Sequence, residues 1–202
     1  MAGEQQSSRP GSGRSRTGKA VSLARLLHRD CTRLLELYKE KESLPSEHSL
    51  EMDRIVSLCV SSPNLSTDER VWLLHSALRQ CLGLLEYVIG REEELEGEGE
   101  GEYESVRNSV RDRLGHLLHT TRVLLKNEEE TNVPAPDPDC NKVKEVEVDE
   151  GDGTFGVKLW IYRVLQELIH WTHSASETLH TLHSEREREQ EVGDSESEGA
   201  EI

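Results

Sequence analysis

The sequence predicts an all-α protein that folds as an up-up-down-down four-helix bundle with two long crossover loops. Three observations support this prediction. The 202-residue chain contains four stretches in which apolar residues recur with helical spacing. The connections between these stretches are long, short and long in chain order. Most of the acid in this chain, whose net charge is −16, falls in the connections and near the end.

Acidic residues cluster in three segments that follow the second, third and fourth apolar stretches. Residues 91–104, 128–152 and 185–201 carry net charges of −7, −8 and −6, together −21, which leaves +5 for the rest of the chain. Because nucleic-acid affinity comes mostly from cations that neutralise phosphate, this balance disfavours that class of function. The composition predicts a disordered basic arm over 1–19, one bundle domain over 20–184 and a disordered acidic tail over 185–202.

The first two predicted helices span 20–43 and 67–90. Before the second helix, Ser66 and Glu69 have the spacing of a capping box, in which each side chain bonds a free backbone amide of the other residue. Gly90 is placed to end that helix as a left-handed cap. The apolar positions that define the two faces are Ala20, Ala24, Leu27, Cys31, Leu34 and Tyr38, then Val71, Leu74, Leu78, Cys81, Leu85 and Val88.

The third and fourth helices are predicted over 103–126 and 155–184, with Thr154 as the N-cap of the fourth. One short stretch, Val143 to Val148, alternates Val with Lys or Glu and could form a local extended segment. The apolar positions of these two helices are Val106, Val110, Leu114, Leu117, Thr121 and Leu124, then Val164, Leu168, Trp171, Ala175, Leu179 and Leu182.

The unequal connections predict the topology. They comprise about 22 residues (44–65), about 12 (91–102) and nearly 30 (127–153), and loops this long need a geometric reason. A connection between parallel helices must run the full length of the bundle, whereas an antiparallel pair needs only a short turn. Long, short and long connections therefore favour up-up-down-down over up-down-up-down, which would need neither long loop.

Motifs for catalysis are missing from the sequence, which predicts a protein that is not an enzyme and uses no cofactor. It contains no Gly-rich phosphate loop, GxSxG or HExxH motif. Three histidine pairs with i, i+3 spacing raise a metal alternative. Only His170 and His180 follow a Glu in the Glu-x-x-His pattern, and both lie in the predicted fourth helix, whereas di-metal bundles take this pattern from two helices, so we predict no metal site. The three pairs are His116 and His119, His170 and His173, and His180 and His183.

Three smaller features have simple interpretations. No apolar h-region follows the initiator Met, so no secretory signal peptide is expected. Asn64-Leu65-Ser66 is a glycosylation sequon, which we interpret as part of the cap of the second helix. The four cysteines show no CxxC spacing, and Cys31 and Cys81 fall on apolar faces, so we expect buried reduced thiols there.

The start of the fourth helix is the best candidate for a binding site. Phe155 is the single phenylalanine of the chain, and Lys158 follows it at i+3, on the same side of the first turn. An aromatic ring beside a cation is typical of interface hot spots. From the residues alone, the alternative that Phe155 closes the end of the bundle core is equally favoured.

Residues around this motif resemble the ciliary neurotrophic factor family, which belongs to the interleukin-6 group of long-chain four-helix cytokines. The resemblance is strongest in the fourth helix, extends to the first and reaches the second more weakly. A divergent, non-mammalian member would fit the departures described below. The residues that carry it are Asp152-Gly153-Thr154-Phe155-Gly156-Val157-Lys158-Leu159-Trp160, Arg163-Val164-Leu165-Gln166-Glu167-Leu168, Trp171-Thr172, Leu23-Ala24-Arg25, Asp30 to Tyr38, and Glu69-Arg70-Val71.

The resemblance implies a receptor-binding function. Phe155 and Lys158 match the FxxK motif through which such cytokines bind the leukaemia inhibitory factor receptor, and Arg25 and Asp30 would contribute to a face for a second receptor chain. It also implies signalling through the shared interleukin-6-family transducer and the JAK-STAT pathway, with cytoplasmic storage and non-classical release. The ciliary neurotrophic factor receptor α stays open as a partner, because residues 60–64 lack the family tryptophan associated with it.

Two other classes of function remain as alternatives. An intracellular helical scaffold or adaptor agrees with the reduced cysteines and with the lack of a signal peptide. A lipid-surface protein would need Lys and Arg beside its apolar faces, and the acidic connections disfavour it. Binding to receptor ectodomains would separate the cytokine from the scaffold.

Overall fold

A computed structural model describes residues 11–44, 54–56, 58, 64–97, 99–126 and 153–197. Within them the chain forms four α-helices and no strand. The four are α1 (Gly11–Lys41), α2 (Thr67–Glu96), α3 (Glu102–Lys126) and α4 (Gly153–Ser197). None of the helices in this part of the chain is long and apolar enough to cross a membrane.

The predicted apolar faces form a single core. Every residue named above for α1, α2 and α4 is buried, and so are those of α3 except Val106, which is half-buried against the same core. Burying side chains at i, i+3, i+4 and i+7 on one stripe of each helix removes them from water, which is the main force that holds such a bundle together. The all-α prediction is therefore confirmed.

The helices pack only as antiparallel pairs. Contacts join α1 to α3, α1 to α4, α2 to α3 and α2 to α4, and none joins the described parts of α1 to α2 or of α3 to α4. The Tyr38 hydroxyl donates to the Lys158 carbonyl at 3.0 Å, so the end of α1 lies at the start of α4. His75 and Thr121 bond at 2.8 Å, so the start of α2 lies at the end of α3.

These directions confirm the up-up-down-down topology and place each parallel pair on a diagonal of the bundle. A connection between diagonal helices must travel the length of the bundle and also pass a neighbouring helix, which explains the long first and third connections. Part of the first connection shows this path. The Ile55 amide donates to Glu167 of α4 at 3.2 Å, and Ile55 and Val56 are buried, so this crossover packs across α4.

The helices are longer than the sequence patterns predict. The predicted end of α2 at Gly90 is wrong: the helix continues to Glu96 and ends at Gly97, where φ is 78° and the amide donates to the Glu93 carbonyl at 3.0 Å. Arg and Glu are good helix formers, and Arg91 pairs with Glu94 one turn on at 3.0 Å, so the chain tolerates Gly90 inside the helix. The capping box of Ser66 and Glu69 is confirmed.

The terminal helices extend in the same way. α1 begins at Gly11, inside the segment predicted as a disordered arm, and α4 continues to Ser197, inside the predicted acidic tail. The alternation of Glu and Arg after residue 184 favours a helix. A carboxylate oxygen of Glu187 lies 3.5 Å from Nε2 of His183, one turn earlier, and such a contact supports the helix. α4 begins at Gly153, so Thr154 lies in the first turn and the prediction of Thr154 as the N-cap is wrong.

Cys31 and Cys81 are both buried and free, as predicted. Burial raises the pKa of the Cys31 thiol to about 12 and raises the pKa of Cys81 as well, so both remain protonated near neutral pH. Cys59, Cys140 and the Val143 to Val148 stretch lie outside the described residues.

Candidate functional site

Phe155 projects from the first turn of α4 into solvent. Its side chain is 67% exposed, which rules out the alternative that it closes the end of the core. The other large apolar side chains that are exposed in the described parts of the chain are Leu95 (55%) and Tyr87 (50%), both in the last turns of α2. Because α2 and α4 are antiparallel, all three lie at the same end of the bundle. Of the three, Phe155 is the most exposed, and it alone is followed by a Lys at i+3.

Lys158 lies one turn after Phe155 and is held by α1. Its ammonium pairs with the carboxylate of Glu42, directly after the end of α1, and its backbone carbonyl accepts from Tyr38. The Glu42 side chain is only 8% exposed, whereas the Lys158 side chain is 38% exposed. The ammonium has three donors, so it keeps donors for a partner while Glu42 fixes its position.

Five residues after Phe155, an aromatic contact holds α4 against α2. Trp160 is 6% exposed, and its ring meets that of Tyr87 edge to face with centroids 5.2 Å apart. The indole Nε1 is buried and has no hydrogen-bond partner among the described residues. The first two turns of α4 are therefore held on one side by α1, through Tyr38 and Glu42, and on the other by α2.

A buried ionic group supports the same end of the bundle between α2 and α3. Glu92 and Arg107 form an ion pair with side chains 7% and 6% exposed. Tyr103 donates to the other oxygen of Glu92 at 2.8 Å, and burial raises the pKa of its phenol. The centroid of the Tyr103 ring also lies 5.8 Å from that of the Tyr38 ring, and the Tyr38 hydroxyl donates a hydrogen bond to the Lys158 carbonyl. Contacts therefore run from α2 and α3 through α1 to the site.

The two candidate residues of α1 lie away from this site. Arg25 is exposed and has no ion-pair partner among the residues that the structure describes. Asp30 forms an ion pair with Arg113 of α3, and its side chain is 19% exposed. Phe155 and Lys158 therefore lie together at the start of α4, whereas Arg25 and Asp30 lie on α1, away from that site.

Sequence reasoning missed the residues that position the site. Glu42 lies 116 positions before Lys158, and the sequence pattern places Glu92 in an acidic connection rather than in a helix. Helical periodicity identifies an apolar face, but it does not reveal which charged side chains, far apart in sequence, will form ion pairs. The one local indication was Tyr38, whose place on the buried face predicts that its hydroxyl needs a partner.

The histidines with i, i+3 spacing lie on the helix surface or contact other side chains. His116, His119, His173 and His180 are exposed, and His173 lies 3.4 Å from Glu177. Burial, helped by Arg54 and His173, lowers the pKa of His170 to about 4, which keeps its ring neutral. Over the described ranges, no group of three or more His, Cys, Asp or Glu side chains is arranged to hold a metal ion.

Comparison with known proteins identifies the family. The family model described as ciliary neurotrophic factor matches residues 1–197. A search of curated protein sequences finds no significant match. The family match covers almost the whole chain, including all four helices and the start of α4. The chain therefore belongs to the ciliary neurotrophic factor family, a family of helical cytokines.

Proposed function

We propose that this cytokine signals by joining two receptor chains, and that Phe155 and Lys158 bind the first of them. The observation that carries the proposal is the 67% exposure of Phe155, beside the fixed ammonium of Lys158. The first chain is of the leukaemia inhibitory factor receptor type, and the second is the shared interleukin-6-family transducer. Bringing the two together would activate JAK-STAT signalling, because linked receptors reach a high local concentration.

The chemistry of the site favours a partner with an apolar pocket near a carboxylate. The Phe155 ring loses water contact when it enters such a pocket, and a buried aromatic anchor usually dominates the energy of an interface. The carboxylate would accept from Lys158. At the same end of the bundle, Glu93 and Glu94 of α2 are exposed, so cationic groups at the edge of the receptor would complement this end.

A second receptor face is proposed on α1. Arg25 is exposed and free to meet an acidic group, so it supports this face. Asp30 forms an ion pair with Arg113, and we propose that its role is to hold α1 against α3.

The ciliary neurotrophic factor receptor α is a third candidate partner. The two buried, reduced thiols agree with storage in the cytoplasm and non-classical release.

The test of this function is receptor assembly in solution. The full chain is mixed with the ectodomains of the leukaemia inhibitory factor receptor and of the shared transducer, and the mass of the complex is measured by light scattering. We expect a complex that contains all three proteins, together with STAT phosphorylation in cells that carry both receptors. Failure to bind either ectodomain, by a chain shown to be folded, would refute the proposal.

Glu42 is expected to act through Lys158. Glu42→Gln keeps the size of the side chain but removes the charge that holds the ammonium, so receptor affinity should fall about three- to tenfold. The measurement is a double-mutant cycle in receptor binding. In the background of Lys158→Ala, Glu42→Gln should have almost no further effect. Equal losses in both backgrounds would show that Glu42 acts independently of Lys158.

A further inference from the structure

A cationic surface lies at the end of the bundle opposite Phe155. From residue 11 to residue 32, α1 contains a single acid, Asp30, which is neutralised by Arg113. From residue 113 to residue 126, α3 contains none. These halves lie against each other because α1 and α3 are antiparallel neighbours. Their exposed residues with cationic or imidazole side chains, which we call the cationic face, are Arg16, Lys19, Arg25, Arg29, His116, His119 and Arg122.

Ion pairs leave part of the positive charge of this face uncompensated. Arg33, further along α1, pairs with Glu102 at 2.9 Å, but Lys19, Arg25 and Arg29 have no ion-pair partner within the described ranges. On neighbouring α4, the acids toward this end of the bundle include Glu177, Glu185, Glu187 and Glu189. Carboxylate oxygens of Glu177 and Glu187 lie 3.4 Å and 3.5 Å from imidazole nitrogens of His173 and His183. Because Lys19, Arg25 and Arg29 are not paired within the described ranges, they leave a local attraction for an anion in a chain of net charge −16.

The composition of the face selects the kind of anion. In the described part of the chain, the exposed large apolar side chains are Tyr87, Leu95 and Phe155, all at the other end. The cationic face therefore has no exposed ring of Phe, Tyr or Trp, which are the strongest platforms for stacking nucleic-acid bases. It also has no exposed large apolar side chain to insert into a membrane or to anchor a protein partner. A ligand held by charge alone must carry many anionic groups.

We propose that the cationic face binds a sulfated polysaccharide. Arg29 lies ten residues after Lys19, about 15 Å along α1 at 1.5 Å per residue, which suits a linear chain of repeated sulfates better than a single small anion. Guanidinium groups bind such oxyanions through paired N–H donors. This site is separate from Phe155 and does not depend on the receptor-binding proposal. Arg25 is shared with the proposed second receptor face, so the test leaves it intact.

The experiment uses the full chain on immobilised heparin at pH 7.4, eluted with NaCl. Although its net charge is −16, the protein should be retained at about 0.15 M salt. Lys19→Ala with Arg29→Ala should weaken heparin binding about tenfold. Arg91→Ala with Arg111→Ala is the matched control: it removes the same charge, but these arginines are already paired with Glu94 and Asp112.

Four outcomes would overturn the proposal. They are flow-through of the wild-type chain at about 0.15 M salt, equal losses in the two double variants, equal retention on desulfated heparin, and competition by a single-stranded oligonucleotide as strong as that by heparin. The last would point to nucleic acid instead. Phe155→Ala should leave heparin binding unchanged, so a failure here is distinguishable from a failure of the receptor proposal.

Discussion

Replacing Phe155 and Lys158 together by alanine is expected to weaken binding to the leukaemia inhibitory factor receptor about a hundredfold and to abolish signalling. The ring would supply the buried anchor of the interface, and the ammonium its charged neighbour. The helices should remain folded, because Phe155 is 67% exposed and contributes little to the core. The loss of Lys158 leaves the Glu42 carboxylate without its ion-pair partner, so a lower free energy of unfolding is expected as well. Binding is measured by surface plasmon resonance, and folding by circular dichroism and urea unfolding.

The control for this variant is Leu95→Ala with Arg91→Ala. It removes an exposed apolar side chain and one cation from the same end of the bundle, but from α2. Its receptor affinity should stay within about threefold of wild type. Phe155→Ala alone provides a second check, since it leaves Lys158 and Glu42 paired. Equal losses in the α2 control and in the α4 variant would contradict the site assignment.

Glu92→Ala is expected to have the largest effect on stability, lowering the free energy of unfolding by about 3 to 5 kcal/mol. The change leaves the Arg107 guanidinium buried without a counter-ion, and its Nε already has no hydrogen-bond partner among the described residues. The Tyr103 hydroxyl would lose its acceptor as well. Urea unfolding measures the change, provided that the slope with denaturant stays constant.

Two comparisons isolate the cause. Glu93→Ala removes an exposed acid from the next position and should change the free energy of unfolding by less than about 0.5 kcal/mol. Replacing both Glu92 and Arg107 by leucine removes the two charges together, so it should be far less harmful than Glu92→Ala. If Glu92→Ala were as mild as Glu93→Ala, the ion pair would not support this end of the bundle.

The apolar pattern was sufficient to predict the four helices and their buried faces. Positions such as Leu27, Leu78 and Leu168 repeat with the helical period, and local periodicity is independent of the partner helix. Connection lengths predicted the topology for a similar reason, since they limit how far apart two helix ends can lie. They did not predict that parallel helices occupy diagonals, because this depends on how all four faces pack together.

Positions that depend on distant charges could not be predicted. Glu92 belongs to a run of acidic residues that the sequence pattern places in a connection. It is nevertheless buried, because Arg107 and Tyr103 of α3 form an ion pair and a hydrogen bond with its carboxylate. Gly90 looks like a helix end, yet favourable residues after it extend α2. At the site itself, Phe155 and Lys158 were identified from the sequence, whereas their support by Glu42 and Tyr38 required the structure.

Hydrogen–deuterium exchange of the cytokine with and without the leukaemia inhibitory factor receptor ectodomain tests the central claim most directly. Receptor binding should slow exchange in peptides that cover residues 153–160, where α4 begins, and should leave the middle of α3 unchanged. Slow exchange limited to other surfaces, or no change at receptor concentrations that saturate signalling, would contradict the assignment of Phe155 and Lys158 as the receptor-binding site.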